Sequence, residues 1–352
     1  MILQVWRYAY GGAKIRALKS YLLTPQDYHF LLRDRNLEDL LGFLRTTVYG
    51  PVLAGWDWRV AGAEAELSRL LFGDLAQAFF KVGRGLKQRE RRFLQVLAGR
   101  LVAENLKVVL RALHQGVPPA QAAGRLLPLG KLTPLNFPAM LQQRTIPELA
   151  AYLAPTPWGA PLNRGLPRFL REQNLFPLEM SLDLWVFDYL WEGLKHLSRA
   201  DRKIAGQLLG TMADITNIVW AGRFRDIYGF PGEETYQYLI AAGSFRRPRD
   251  RRALAFAVSV ADMVAHLPLR AYQVLLQGSA QGTEVEARLM HHWLATLERI
   301  LRRPPFQIGL PMTYLFLKEL ELHNLITLIT GKLLNLPAEA IAPLLQRRGA
   351  GG

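Results

Sequence analysis

Residues 284–301 read EVEARLMHHWLATLERIL. Val285, Leu289, Trp293, Leu297 and Leu301 step by four, while Glu284, Glu286, Arg288, Glu298 and Arg299 fall off that line. An apolar stripe at this period, with the charges elsewhere, defines an amphipathic helix. Comparable patterns run through 64–80, 92–114, 179–197 and 314–334, and Leu outweighs the β-branched residues throughout. No segment alternates like a half-buried strand, so the chain reads as all-α.

Outward from that helix, a set of landmarks recurs three times in the same order. Each copy opens with a proline, Pro25, Pro134 or Pro248, and a Thr before Pro25 and Pro134 suggests a helix N-cap followed by the first helical residue. Fourteen positions on stands an acid, Asp39, Glu148 or Asp262, and ten further an aromatic, Tyr49, Trp158 or Tyr272. Helices then open at Glu64, Glu179 and Glu286, each with a Leu three residues later. Asn105, Asn217 and Asn324 follow 41, 38 and 38 residues after those glutamates. Pro118, Pro231 and Pro337 come 13, 14 and 13 after the asparagines, and Gly130, Gly243 and Gly349 come 12 after each proline. Order and spacing kept three times predict an internal threefold repeat. The closing part reads as a helical hairpin: a long helix with the Asn, a proline at N1 of a three-turn helix, then a glycine ending it. The expected lobes are 1–130, 131–243 and 244–352.

Composition narrows the class. The 352 residues are 50% apolar, which is enough for real cores, and carry 44 Lys plus Arg against 29 Asp plus Glu, a net +15. An anionic partner is expected from such a balance, whether nucleic acid, acidic protein or anionic lipid. With no Cys, disulfides, thiolate metal sites and a Cys nucleophile are excluded, and a reducing compartment fits. The longest uncharged run, 149–163, is 15 residues with three prolines, short of the roughly 20 apolar residues a span requires. Arg7, Lys14, Arg16 and Lys19 are scattered among aromatics and glycines, so no secretion signal is expected.

Catalytic signatures are weak. Gly331-Lys332 lacks the upstream glycine and the following Ser/Thr of a phosphate loop, and Gly83-Arg84-Gly85 follows no strand. His291 and His292 are adjacent on a helix and point about 100° apart, which prevents joint chelation. Glu179 and Asp183 share a face, but the other copies put Ser68 and Met290 in place of the Asp, leaving only Glu64, Glu179 and Glu286 as recurrent positions near helix starts. No catalytic residue, metal or cofactor is expected. Asn105, Asn217 and Asn324 each lie on an apolar stripe, where a buried amide must find partners, and each is expected to tie its helix to neighbouring backbone. The densest basic run, Arg246, Arg247, Arg249, Arg251 and Arg252, is either a solvated face or a docking surface.

The final segment carries a resemblance. Lys318-Glu319, Glu321, Asn324-Leu325, Gly331-Lys332 and Leu336-Pro337 resemble the closing pattern of the C subunits of V/A-type rotary ATPases, relatives of the eukaryotic V-ATPase d subunits. Tyr8-Ala9-Tyr10, the stretch 44–49 and Glu179-x-x-Leu182-Asp183 fit it too. Where that family often has Arg after the second Glu, this chain has His323 beside Asn324. The resemblance implies a funnel of three helical lobes and a non-catalytic rotor component, peripheral on the cytoplasmic side of the membrane. Its implied partners are the D/F shaft and the proteolipid ring, with the basic run facing anionic head groups or partner loops. Torque from ATP hydrolysis would pass through it to drive proton or sodium transport, or the reverse. Other classes are a basic helical nucleic-acid-binding protein, supported by charge alone, and an all-α enzyme with a site assembled from distant residues.

Overall fold

The computed structural model describes residues 12–33, 36–302 and 307–346; Tyr8-Ala9-Tyr10 and the landmark Gly349 lie outside them. The fold is all-α, with no strand among the described residues. Among the described residues six helices reach nineteen residues or more: α1 Ala63–Gly83, α2 Gln88–Gln115, α3 Phe176–Leu194, α4 Arg199–Asp226, α5 Gly282–Leu301 and α6 Gly309–Leu333. The chain divides into two compact units, Met1–Asp183 with Leu310–Gly352, and Leu184–Gly309.

The spaced landmarks are largely chain-direction signals. Asn36, Thr145 and Ser259 cap the short helices Leu37–Arg45, Ile146–Leu153 and Val260–Ala265, accepting from the backbone N–H of Asp39 (2.8 Å), Glu148 (3.2 Å) and Asp262 (3.1 Å). The recurrent acid is therefore the third residue of a capped helix, where a carboxylate meets the free N–H groups and the positive end of the dipole. Glu148 and Asp262 also accept from the N–H of Arg144 and Val258, both at 2.9 Å. Pro25 starts the helix Pro25–Leu32 behind a Thr24–Asp27 capping box, and Pro248 starts Pro248–Ala255.

Three expectations are corrected. Pro134 lies in a loop, and the next helix begins at Phe137 behind Asn136, whose amide caps it in place of Thr133. Pro118, Pro231 and Pro337 are N-cap residues, and the helices they open, Pro119–Ala123, Gly232–Gln237 and Ala338–Ile341, are five, six and four residues long. A cap residue needs only extended φ/ψ, which proline supplies, and each chain then leaves the helix after little more than one turn. The closing glycines do not end those helices: Gly130 and Gly243 have φ +52° and +59° but open 3₁₀ turns after an irregular stretch. The left-handed residues that follow the long helices are Gly116, Gly229 and Asn335, each two before the proline, with φ +66°, +63° and +54°.

In the first unit the core holds Leu31, Leu44, Leu67, Leu71, Leu97 and Leu106 together with Leu322, Leu325 and Leu328 of α6. Residues from both ends of the chain are thus buried in it. Gly331 lets the short helix Ala338–Ile341 lie close to α6, since a Cβ there would stand 2.7 Å from Ile341 Cδ1. In the second unit Ile218 and Ala221 of α4 pack with Leu239, Phe245, Leu254, Met263, Leu276, Val285 and Leu289. No helix among the described residues is long and apolar enough to cross a membrane.

Candidate functional site

The three asparagines make one contact in three places. Asn105 Nδ2 donates to Leu127 O (2.9 Å) and its Oδ1 accepts from Leu127 N (2.7 Å). Asn217 makes the same pair with Ile240 (2.9 and 2.7 Å), and Asn324 with Gln346 (3.0 and 2.7 Å). Each partner stands nine residues after Pro118, Pro231 or Pro337. A primary amide is the side chain that copies a peptide's donor and acceptor, so one residue satisfies both backbone groups of an irregular segment as a strand neighbour would. Short helix and returning segment are thereby fixed onto a long helix, and the geometry requires Asn: Asp lacks the donor and Leu both groups.

A second polar device sits one turn earlier on two of these helices. Three residues before Asn324, the buried Glu321 accepts from the Tyr49 hydroxyl and from Leu23 N (2.5 Å). Three before Asn217, the buried Asp214 accepts from Ser244 N (2.7 Å) and the Tyr272 hydroxyl (3.3 Å). In both, a carboxylate on a long helix holds the start of a short-helix segment by its backbone and the end by a tyrosine. Lys318 completes the first: its Nζ lies 2.9 Å from Tyr49 Oη, 4.2 Å from that ring's centre and 2.8 Å from Asp74 Oδ2 on α1. Burial drives Glu321 up to about 7 and Asp214 to about 6, against the lowering pull of the Tyr49 hydrogen bond and Lys318 on one, and of the Ser244 N–H on the other. At Asn105 the matching residue is Val102, and the matching aromatic is Trp158, which has no hydroxyl to place.

Ion pairs join the long helices. On α2 and α3, Arg111 grips Glu179 with two bonds (2.7 and 2.9 Å), and Lys107 meets Asp183 at 2.6 Å. On α4 and α5, Arg223 grips Glu286 in the same bidentate way (2.8 and 2.7 Å). Arg111 and Arg223 both stand six residues after their asparagines; the third such position is Thr330, and Glu64 is exposed. On α6 the ties are Lys318 to Asp74 and Arg100 to Glu319 (3.0 and 3.1 Å). Burial raises Asp183 to about 6 despite Lys107. Lys107 itself is raised, because Asp183 and Glu104 outweigh the burial that disfavours its charge.

The arginine run is spent unevenly. Arg251 donates to the carbonyls of Phe245 and Arg246 (2.7 and 2.9 Å), and Arg252 pairs with Glu233 (2.8 Å) over the Tyr236 ring. Arg249 pairs with Asp250 at 3.3 Å, Arg246 lies over Trp191, and Arg246, Arg247, Arg249 and Arg252 are exposed. The remaining motifs have local roles: Lys332 donates to Arg33 O (3.2 Å), His323 packs edge-on against Phe72, and His292 against Tyr272. Sequence reasoning missed the carboxylates Glu321 and Asp214 as partners of Tyr49 and Tyr272. Their signal is an acid three before the Asn wherever the recurrent aromatic is Tyr, and Val where it is Trp.

Residues of this kind, turned inward to fix helix to helix, define a helical scaffold. The family model described as ATP synthase (C/AC39) subunit matches residues 12–344, and the chain belongs to that family. It is similar to the A-type ATP synthase C subunit of Thermococcus gammatolerans, 27% identical over 326 residues that cover 90% of this chain and 84% of the relative. It is also similar to those of Methanocaldococcus jannaschii (24% identical, 98% and 88% covered) and Pyrococcus horikoshii (24%, 91% and 86%).

Proposed function

We propose that this chain is a non-catalytic central-stalk component of a V/A-type rotary ATPase, built from three similar helical lobes and carrying torque between a D/F shaft and a membrane proteolipid ring. It sits on the cytoplasmic side of the membrane as a peripheral protein. One observation carries the reading beyond family membership: the residues that bear the family resemblance in 318–332 are committed to internal contacts. Lys318 holds Tyr49 and Asp74, Glu319 holds Arg100, Glu321 holds Tyr49 and Leu23, Asn324 holds Gln346, and Gly331 admits Ile341. A part that transmits torque needs helices that do not slip against one another, and buried, fully bonded polar groups supply that resistance.

The exposed guanidinium groups of Arg246, Arg247 and Arg249 are the candidate contact to acidic partner loops or anionic head groups. Extraction of the complex in mild detergent tests the reading: the chain should co-purify with both shaft and ring, and recovery with neither overturns it. Charge reversal at Arg247 and Arg249 should weaken attachment to ring-containing membranes and flatten its salt dependence; unchanged attachment removes the run from the interface.

A further inference from the structure

The second unit holds a cleft that the scaffold role does not use. The ends of α3 and α5, the first half of α4 and the turn at Gly243-Ser244 surround a space of about 750 Å³. Lys195, Arg202, Lys203, Arg246 and Arg299 line it, against the single carboxylate of Asp214. That carboxylate is already engaged by Ser244 N and Tyr272. Lys195 is paired with Glu192 at 2.6 Å, and Arg202 donates to the carbonyls of Leu194, Lys195 and Leu197, which leaves its charge uncompensated. Lys203, Arg246 and Arg299 make no ion pair among the described residues.

Two buried hydroxyls lie behind the wall of the cleft. Thr296 Oγ1 and Ser244 Oγ both belong to residues lining this cleft, both are shielded from solvent, and neither makes a hydrogen bond. Thr296 is 8% exposed. Both oxygens are closed even to a water-sized probe, so neither faces the space, and a ligand in the cleft meets the cations alone. Gly206 and Gly210 leave the wall of α4 without side chains there. Gly243 is forced: at φ +59° its Cβ would stand 2.2 Å from Asp214 Oδ1, so the turn that carries Ser244 accepts no other residue.

We infer that this cleft binds a small phosphate-bearing polyanion. Guanidinium forks and ammonium groups gathered around one cleft are the donor set that phosphate oxygens require, and neither nonpolar nor cationic ligands match it. The volume lies in the range of roughly 300–1,000 Å³ typical of small-molecule sites, which favours a compact anion over an acidic helix laid across the surface. The ligand class is independent of the rotor reading, so each can fail alone.

Titration calorimetry of the full-length chain with inorganic pyrophosphate, and separately with ATP, tests it. Saturable one-to-one binding is expected for at least one probe, weakened about tenfold by Arg299→Glu and by Lys203→Glu, the loss of one charge-assisted contact. Arg125→Glu, at an exposed cation of the other unit, should leave it unchanged. Equal affinity for the two probes identifies the phosphates as the recognised part, and tighter ATP binding adds the nucleoside to it. Circular dichroism melts ensure that only folded variants are compared, and the two surface reversals at Arg299 and Lys203 spare the core. Absence of saturable binding to both probes overturns the proposal. So does equal weakening by Arg125→Glu, or binding of a polyglutamate peptide tighter than that of either phosphate probe.

Discussion

The Tyr49 hydroxyl donates to Glu321, 272 residues along the chain, and this bond closes the first unit by joining its N-terminal helices to α6. The same relationship links Tyr272 to Asp214 in the second unit. Because Lys318 also reaches the Tyr49 oxygen, removing that hydroxyl deprives both a buried carboxylate and a buried ammonium of a partner. Tyr49→Phe should cost about 1–3 kcal/mol in urea unfolding, and Tyr272→Phe less, since its bond is 3.3 Å long and no lysine shares it. If Trp158→Phe, which removes no hydroxyl, cost the same beyond the loss of ring area, the polar device would not be what holds these segments.

The asparagine contacts are more exacting. Truncation to Ala strands a backbone N–H and a C=O at Leu127, Ile240 or Gln346, and the buried site admits little water. Asn217→Ala should lower stability by about 2–4 kcal/mol, the cost of two unmet backbone groups. Asn217→Asp retains the acceptor for Ile240 N and, while protonated, offers an O–H to Ile240 O, so it should fall between wild type and Ala at mildly acid pH and drop further as pH rises and that donor is lost. Asn105→Ala and Asn324→Ala should behave alike; an unchanged melting temperature for Asn324→Ala would show that its bonds contribute nothing.

Much of this is legible in the sequence because local chemistry is periodic. A cap, an acid at its third position, a left-handed residue and a proline two later act over a few residues, and their repetition at long intervals is visible without a structure. The asparagines stand out because an amide on an apolar stripe demands partners. The partners themselves cannot be read: Leu127, Ile240 and Gln346 are unlike side chains offering only backbone. The prolines fall one residue from the expected place because N-cap and N1 accept the same φ, and the hairpin is shorter than expected because helix propensity does not register a backbone claimed by a distant amide. Tyr49 and Glu321 stand 272 residues apart, so their pairing shows in the sequence only as a correlation across copies, Glu321 with Tyr49, Asp214 with Tyr272 and Val102 with Trp158.

The ion pairs should separate by burial. Arg111 and Arg223 are about half exposed, at 51% and 52%, so breaking Arg223–Glu286 should cost under about 1 kcal/mol and less at high salt. Lys107 is only 10% exposed beside Asp183. Lys107→Met should cost about 2–3 kcal/mol at pH 8, between the exposed and the fully buried limits because Asp183 keeps 25% exposure, and clearly less at pH 5, where that carboxyl can take up a proton. In α4 and α5 the matching residues are Val219 and Met290, which predicts that Lys107→Val with Asp183→Met regains most of the loss. A double variant no more stable than Lys107→Met alone would sink the equivalence of these positions.

Stability should also fall as pH rises through the neutral range. Glu321 is raised from 4.5 to about 7, and Asp183 and Asp214 from 3.8 to about 6, in each case chiefly by burial. A carboxyl with a raised folded-state pKa binds its proton more tightly in the folded chain than in the unfolded one. Between the two values the folded state holds more protons, so each of these groups subtracts stability as pH climbs, from about 4 to about 6 for the aspartates and from about 4.5 to about 7 for Glu321. The Glu321 contribution is at most about 3 kcal/mol, from the size of its shift. Urea midpoints measured from pH 5 to pH 8 should therefore decline, and Glu321→Gln, whose single amide oxygen can accept from Leu23 N while its NH2 faces the Tyr49 oxygen, should flatten the decline between pH 5 and 7 while leaving Tyr272 and Asp214 untouched. An equally steep decline in Glu321→Gln would mean that this carboxyl titrates near its ordinary value and that the cluster with Tyr49, Lys318 and Asp74 fully offsets its burial.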